Sequence, residues 1–286
     1  MARKGTIFLQ NIMLQMRGEI HTFHRPLIMG ILNLTPDSFY DGGSNNSIQK
    51  IIKHVEKMKN EGADIIDIGA YSSRPGASNI DEQEELKRLM SPLKQIRSHF
   101  PDVFLSVDTF RSNVAEQAIN NGADMINDIS SGELDNKMFD CISKLKVPYI
   151  MMHMQGNPKN MQQNPNYDDV TASLIKFFSS KIKLARSKGI NDIIIDPGFG
   201  FGKNLSHNYE LLKNLETFKI FEKPMLIGLS RKSMINKVLE ISPDNALNGS
   251  TVLHTIALLN GANILRVHDV KAAGEAVKIV SYYQNN

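Results

Sequence analysis

The 286-residue chain has one cysteine, Cys141. With no second thiol an internal disulfide is excluded, and a reducing, cytoplasmic setting is expected. Cys141 sits in Met138-Phe139-Asp140-Cys141-Ile142, which reads as a helix face carrying an inert buried thiol. No apolar run approaches the ~20 residues that a membrane span needs. The N-terminal Met1-Ala2-Arg3-Lys4 is basic, but Gln10, Asn11 and Gln15 interrupt the apolar residues after it, which makes a poor signal-peptide core. Dense basic runs are missing too. The net charge is +3 and the lysines and arginines are scattered, so no nucleic-acid partner is expected. The mild excess suits a small anionic ligand at least as well, or a surface with no partner. The sequence lacks H-x-x-x-H, HExxH and CxxC, which argues against zinc. Magnesium held mostly by substrate phosphates would leave little trace.

What is present is ordinary for a globular protein with a real core: 41% hydrophobic and 22% charged residues. Eight short apolar runs stand out: Leu27–Leu32, Ile65–Ile68, Phe104–Val107, Met125–Ile126, Tyr149–Met152, Ile193–Ile195, Met225–Ile227 and Ile264–Val267. They are near-continuous rather than alternating, as expected for parallel strands buried on both faces. Helical spacing lies between them, as in Ile48 to Met58, which stops near Gly62. Gly62-Ala63-Asp64 recurs as Gly122-Ala123-Asp124 and Gly261-Ala262-Asn263, each time between a helix and the next strand. Glycine there supplies a left-handed turn. No linker or low-complexity segment divides the chain. The expected fold is therefore α/β: one (β/α)8 barrel domain over residues 1–286, with its core at about 27–280. A doubly wound open sheet is the alternative. A short N-terminal hairpin, roughly Thr6–Leu9 with His21–Phe23, is expected to plug the barrel bottom.

Polar residues follow nearly every apolar run. They are Asn33 and Thr35-Pro36-Asp37-Ser38, then Ser72-Ser73-Arg74-Pro75-Gly76, Asp108-Thr109, Asn127-Asp128 and His153. Asp196-Pro197-Gly198, Ser230-Arg231-Lys232-Ser233 and the pair Arg266 and His268 complete the set. One such residue is ordinarily a cap or turn residue. Eight in sequence order would converge on the C-terminal mouth of a barrel, where such enzymes place catalysis. Arg266 and His268 at i, i+2 face one side of a strand and could clamp an anion such as a diphosphate. The plainer alternative is an exposed arginine beside a packed core histidine. The serines around Lys232 read as helix caps whose free N–H groups would attract a carboxylate. The stretch from Asp196 to Lys203 has neither P-loop nor dinucleotide spacing, and reads as a tight loop that brings backbone close to a ligand.

These residues resemble one family. Met29-Gly30-Ile31-Leu32-Asn33-Leu34-Thr35-Pro36-Asp37-Ser38-Phe39 looks like the first signature of the dihydropteroate synthases. Arg74-Pro75-Gly76-Ala77, Ser106-Val107-Asp108-Thr109 and Ile126-Asn127-Asp128-Ile129 resemble the next blocks, in family order. Met152 to Pro158, Asp196 to Lys203, Ser230 to Met234 and Arg266 to Val270 resemble the rest. The resemblance implies a TIM barrel and a transferase of folate biosynthesis. Such an enzyme joins a dihydropterin-6-ylmethyl diphosphate to 4-aminobenzoate, using magnesium near Asn33, as a homodimer. It implies that Asp196, Asn127 and Lys232 bind the pterin, that Ser233 receives the aminobenzoate carboxylate, and that Ser73, Arg74, Met152 and Phe201 are further substrate-binding residues. Asp108 would act on a pterin cation, with Arg266 and His268 on the leaving diphosphate, so Asp108, Lys232, Arg266 and His268 are the catalytic candidates. The loops Thr35–Gly43 and Ser72–Ile80 are expected to be lids. One departure stands in the strand-two segment. The family pattern Gly-Gly-Glu-Ser-Thr-Arg-Pro-Gly is here Gly69-Ala70-Tyr71-Ser72-Ser73-Arg74-Pro75-Gly76, with Tyr71 in place of a carboxylate. Methyltetrahydrofolate-dependent methyltransferases share such a barrel and pterin pocket, and a pterin-binding module without turnover is the non-enzymatic alternative.

Overall fold

All eight apolar runs are strands. The computed structural model describes residues 11–34, 45–71, 80–158 and 161–286. Two strands, β1 (Ile12–Met16) and β2 (Glu19–Phe23), precede the eight. Then come β3 (Leu27–Asn33), β4 (Ile65–Gly69), β5 (Phe104–Asp108), β6 (Met125–Asp128) and β7 (Tyr149–Met152). The last three are β8 (Ile193–Asp196), β9 (Leu226–Ile227) and β10 (Ile264–Val267). The helices are α1 (Asn45–Asn60), α2 (Glu82–His99), α3 (Ser112–Asn120), α4 (Met138–Leu145) and α5 (Val170–Ser187). They continue with α6 (Leu205–Lys213), α7 (Ser233–Leu239), α8 (Leu247–Leu259) and α9 (Val270–Asn285).

The parallel sheet runs β8-β7-β6-β5-β4-β3-β10-β9, and a parallel bridge from Ile195 to Met225 joins its two ends. That bridge closes the barrel and removes the open-sheet alternative. It is the thinnest seam because β9 has two residues.

The hairpin exists, but its first strand is Ile12–Met16; residues 6–9 lie outside the described part. Ile12, Leu14 and Met16 point from β1 into a layer formed by Leu27, Met29, Ile65, Met125, Ile150, Ile194, Leu226 and Ile264. Side chains alternate along a strand, so these are the inward residues at the lower end of the barrel, and β1 caps them. Arg17 in the hairpin turn fastens the plug. Its guanidinium donates to Asp124 at 2.7 Å and to the carbonyls of Pro101 and Val103.

The Gly-Ala-Asx repeats have one geometry. Gly62, Gly122 and Gly261 have φ of +100°, +104° and +99°, values that a side chain strains against. The third residue of each repeat then grips an earlier strand. Asp64 accepts the Ile28 N–H, Asp124 the Leu105 N–H and Asn263 the Met225 N–H, at 2.7 to 2.9 Å. So the turn that ends a helix also sets where the neighbouring strand begins.

Candidate active site

Strand phase decides which polar residues reach the barrel interior. Counting in steps of two up from the inward apolar layer gives Asp67 above Ile65, Asn127 above Met125 and Met152 above Ile150. The same count gives Asp196 above Ile194 and Arg266 above Ile264. Register places Asn33 opposite Gly69, Gly69 opposite Asp108 and Asp108 opposite Asn127, all at one level of the mouth.

A charged network crosses the barrel interior. Arg266 donates from Nε to Asp67 at 2.6 Å and from Nη2 to Asp108 at 2.8 Å. The Asn127 amide donates to the same Asp67 oxygen at 3.1 Å. Asp67 is fully buried, and its other carboxylate oxygen has no hydrogen-bond partner. The sequence reading missed Asp67, although a lone carboxylate inside Ile65-Ile66-Asp67-Ile68-Gly69 was a signal. A charge in an apolar strand needs a partner. Burial pushes the Asp108 carboxyl up to about 7, with Arg266 opposing and Asp67, Glu85 and Asp128 reinforcing the rise. Burial works against the charge on Arg266, yet Asp67 and Asp108 hold it above the usual arginine range.

Asp196 and Lys232 form the second part of the site. The Asp196 carboxylate is buried and accepts the Gly198 N–H at 2.7 Å. Burial raises its pKa against the pull of Lys232. The Lys232 ammonium donates to the Phe199 carbonyl and lies 4.8 Å from the centroid of the Phe201 ring. Burial lowers its pKa to about 8, Asp196 opposing and Arg266 adding to the fall. Met152 packs with Ile129, Met154 and Met161, and Phe110 and Phe201 lie against them. An apolar wall therefore adjoins a carboxylate and an ammonium, a combination suited to a flat heterocycle with a polar edge.

Two expectations are corrected. Asp128 and His153 stand one residue past Asn127 and Met152, so they face away from the interior. Asp128 accepts from the Tyr149 hydroxyl and from the N–H groups of Ser130 and Gly132. The His153 ring meets the Lys203 ammonium and the Phe177 ring. Burial and that ammonium push the imidazole down to about 2. Second, no serine side chain caps α7. Lys232 is the N-cap residue, with no side-chain cap bond, and Ser233 opens the helix exposed. The Ser230 hydroxyl instead lies 3.1 Å from His268 Nδ1. The glycine-rich loop packs against protein backbone. A Cβ on Gly198 would lie 2.0 Å from the His153 carbonyl oxygen, and one on Gly202 2.6 Å from that of Gln155.

The plainer alternative for the last strand is inverted: His268 is exposed, and Arg266 is the residue that turns inward. Asn33 ends β3, and a Cβ on Gly69 would lie 3.8 Å from both its Oδ1 and an Asp108 oxygen. Tyr71 packs edge-on against Phe110 at 5.2 Å, and the Arg111 guanidinium lies over both rings. Arg111 also pairs with buried Glu85 and donates to the Ile80 carbonyl. Ser73 and Arg74 lie outside the described residues, as does nearly all of both expected lids. Cys141 is half-exposed on α4, and burial still pushes its thiol up to about 11, which keeps it a poor nucleophile. Among the described residues no helix is long and apolar enough to cross a membrane.

Comparison with known proteins agrees with this geometry. Residues 29–268 match the model of the pterin binding enzymes. Dihydropteroate synthase of Escherichia coli K12 is 46% identical over 257 residues, covering 89% of this chain and 90% of that protein. The Haemophilus influenzae enzyme is also 46% identical, covering 89% and 92%. Among solved structures, the Yersinia pestis dihydropteroate synthase in a sulfonamide drug complex superposes with a TM-score of 0.89. It is 44% identical and is covered in full by 96% of this chain. The Xanthomonas albilineans enzyme with 4-aminobenzoic acid gives 0.89 at 38% identity, covering 96% and 99%. With a closed parallel barrel, a buried polar ring at its mouth and this degree of identity along its length, the chain belongs to the dihydropteroate synthase family of pterin-binding enzymes.

Proposed function

We propose that the chain is a transferase of folate biosynthesis. It joins (7,8-dihydropterin-6-yl)methyl diphosphate to 4-aminobenzoate, giving 7,8-dihydropteroate and diphosphate. The observation that carries this reading is the buried Asp196 carboxylate, set between Lys232 and the Met152–Phe201 wall. The amino-pyrimidinone edge of a pterin presents two N–H donors side by side, and a carboxylate is their planar mate. Asn127 would read the adjoining edge, and Lys232 would donate to the pterin carbonyl.

In the transfer the methylene–oxygen bond breaks, diphosphate takes the electron pair, and the arylamine nitrogen then bonds to the methylene carbon and releases one of its protons to solvent. Asp108 stabilises the intervening pterin cation electrostatically. Its pKa of about 7 reflects burial, and a neighbouring positive charge would draw off its proton. Arg266 and His268 neutralise the leaving diphosphate. Arg266 Nη1 has no hydrogen-bond partner among the described residues, so one edge of the guanidinium can turn to the anion. Ser233 and the N–H groups opening α7 would receive the aminobenzoate carboxylate, and Ser73 and Arg74 stay substrate-binding candidates from the sequence alone.

The donor chemistry at Asn33 fits magnesium held mainly by substrate. The Asn33 amide oxygen lies beside Gly69, next to the Asp108 oxygen that accepts from Arg266, and a hard oxygen is what this ion takes. Among the described residues no group of three acidic or histidine side chains could hold a metal alone. Bound there with the diphosphate, the ion would supply charge neutralisation to the leaving group.

The test mixes purified protein, magnesium, the pterin diphosphate and 4-aminobenzoate. Diphosphate release that needs both organic substrates is the expected result. Deuterium at the methylene is expected to slow the transfer, which reports loosening at that carbon. No release sinks the synthase reading and leaves a pterin-binding module.

A homodimer is part of the same proposal, and the sequence alone gave no patch for it. Adjacent helices α8 and α9 leave Val252, Ile256 and Leu259, and Ile279, Tyr282 and Tyr283, exposed at helical spacing. Exposed apolar stripes on two adjacent helices are the surface that a second copy would cover. Sedimentation is expected to give a dimer that Ile256→Lys with Tyr282→Lys converts to monomer. A wild-type monomer overturns this part.

A further inference from the structure

Lys203 is a buried cation that the proposed chemistry does not use. It is 3% exposed. Its ammonium lies 2.9 Å from the Gly198 carbonyl oxygen, 3.0 Å from that of Phe201, 3.1 Å from His153 Nδ1 and 3.4 Å from the His153 carbonyl oxygen. Those acceptors belong to two segments, the end of β7 and the loop after β8. The segments also touch backbone to backbone, because Gly198 and Gly202 leave no room for a Cβ.

What that loop carries is the surroundings of Lys232. The Phe199 carbonyl accepts from the Lys232 ammonium, the Phe201 ring lies under it, and Gly198 donates to Asp196. Lys203 thus holds the same loop whose residues meet Lys232 and Asp196.

We propose that Lys203 is a positioning residue for pterin recognition: its ammonium ties the end of β7 to the loop 197–202 and so fixes Asp196 and the partners of Lys232. This rests on the pterin reading of that pocket. The groups facing Lys203 are Asp196, which favours its charge, Lys232, which opposes it, and His153 and Tyr167, both neutral near pH 7. Burial lowers the Lys203 pKa to about 7. Below that pH the ammonium offers three N–H donors to its acceptors. Above it one donor and the charge are lost. The clasp therefore weakens as pH rises through about 7.

The test is equilibrium binding of 6-hydroxymethylpterin, read by its fluorescence, to wild type and Lys203→Met. Wild-type protein that binds no pterin sinks the pocket reading itself, independently of Lys203. If wild type binds, Lys203→Met is expected to weaken the pterin about tenfold at roughly pH 6, the size typical of losing a supporting contact behind a site. The wild-type to variant affinity ratio is expected to shrink toward about twofold at roughly pH 8.5, as the neutral lysine loses its advantage. Taking the ratio cancels titration of the pterin. In turnover the pterin KM rises while the aminobenzoate KM stays within about twofold, since the altered loop supports only the pterin side. An unchanged affinity, a ratio flat with pH, or equal rises in both KM values would overturn the proposal. If Lys203→Met does not fold, Lys203→Gln, which keeps two N–H donors without charge, is read by the same three criteria.

Discussion

Arg266→Met is expected to cost about 3–5 kcal/mol of stability near neutral pH and to abolish turnover, because removing one member of a buried ion network leaves uncompensated charge. The partners decide the size. Asp67 is fully buried and takes two hydrogen bonds, from Arg266 and from Asn127, on a single oxygen. Asp108 takes the other arm of the guanidinium. Methionine fills much of the volume and supplies neither charge nor donors. For a chain of this length the loss corresponds to a fall in melting temperature on the order of 10 °C. The pH dependence has a definite sign. Asp108 has a folded pKa raised from the ordinary 3.8 to about 7, so the folded state holds its proton more tightly than the unfolded chain. That contribution is complete below about pH 4 and is lost as pH rises through about 7. Arg266 is the largest influence restraining the rise. Without it Asp108 keeps its proton to higher pH, and the variant is worst where the carboxylate must ionise. Thermal unfolding at about pH 5 and pH 8 checks this: the gap between wild type and variant should be small in acid and widen with pH. A gap within about 2 °C at both values would mean that the network contributes nothing net, as in buried pairs whose desolvation cancels their attraction. Arg266→Lys restores a charge without the planar fork and is expected to recover only part of the loss.

The fold was legible because parallel barrel strands leave a plain mark. Each is buried on both faces, so each reads as a short apolar run, and the observed strands coincide with those runs or differ by one or two residues at one end. Even β9, which closes the barrel through a single bridge, was visible as Met225–Ile227. The hairpin was legible in its second strand, within Glu19–Phe23, and its first strand was placed too early because two-stranded pairing in an exposed ribbon carries a weak pattern. Ile12, Leu14 and Met16 alternate correctly, but only their burial under the barrel gives that alternation meaning.

The site was legible in its level and not in its phase. Taking every polar residue at a strand end as part of one ring gathered Asp128 and His153 with Asn127 and Asp196. One residue along a strand is the difference between the mouth and the helix layer. Asp67 was lost for the complementary reason: it lies below the strand end, inside the barrel, where only inward phase reveals it. Lys203 was read as part of a ligand loop. Its role depends on meeting β7 from a position fifty residues later in the chain, a contact that no local pattern announces.

Asp196→Asn separates recognition from folding. Asparagine has nearly the shape of aspartate, and its carbonyl oxygen can still accept the Gly198 N–H that Asp196 accepts now. The turn into the glycine-rich loop should survive, and the melting temperature should stay within a few degrees of wild type. It should even rise slightly with pH relative to wild type. Burial raises the Asp196 pKa, so the native carboxylate weakens the ligand-free fold as it ionises, and the amide does not. Binding is another matter. A pterin edge offers two N–H groups, and the amide meets one of them with N–H of its own. A charge-assisted hydrogen bond is worth about 1.5–3 kcal/mol, and leaving a buried donor unpaired adds a further cost of about 1–3 kcal/mol. The pterin dissociation constant is expected to rise by about 10²–10⁴-fold, and kcat/KM for the pterin diphosphate to fall by at least as much. The aminobenzoate KM, governed elsewhere in the mouth, should move little. Fluorescence titration with 6-hydroxymethylpterin reads the first effect directly. Wild-type affinity in Asp196→Asn would take the pterin edge away from Asp196. An equal loss for both substrates would make Asp196 a support of the mouth rather than the residue that selects the heterocycle.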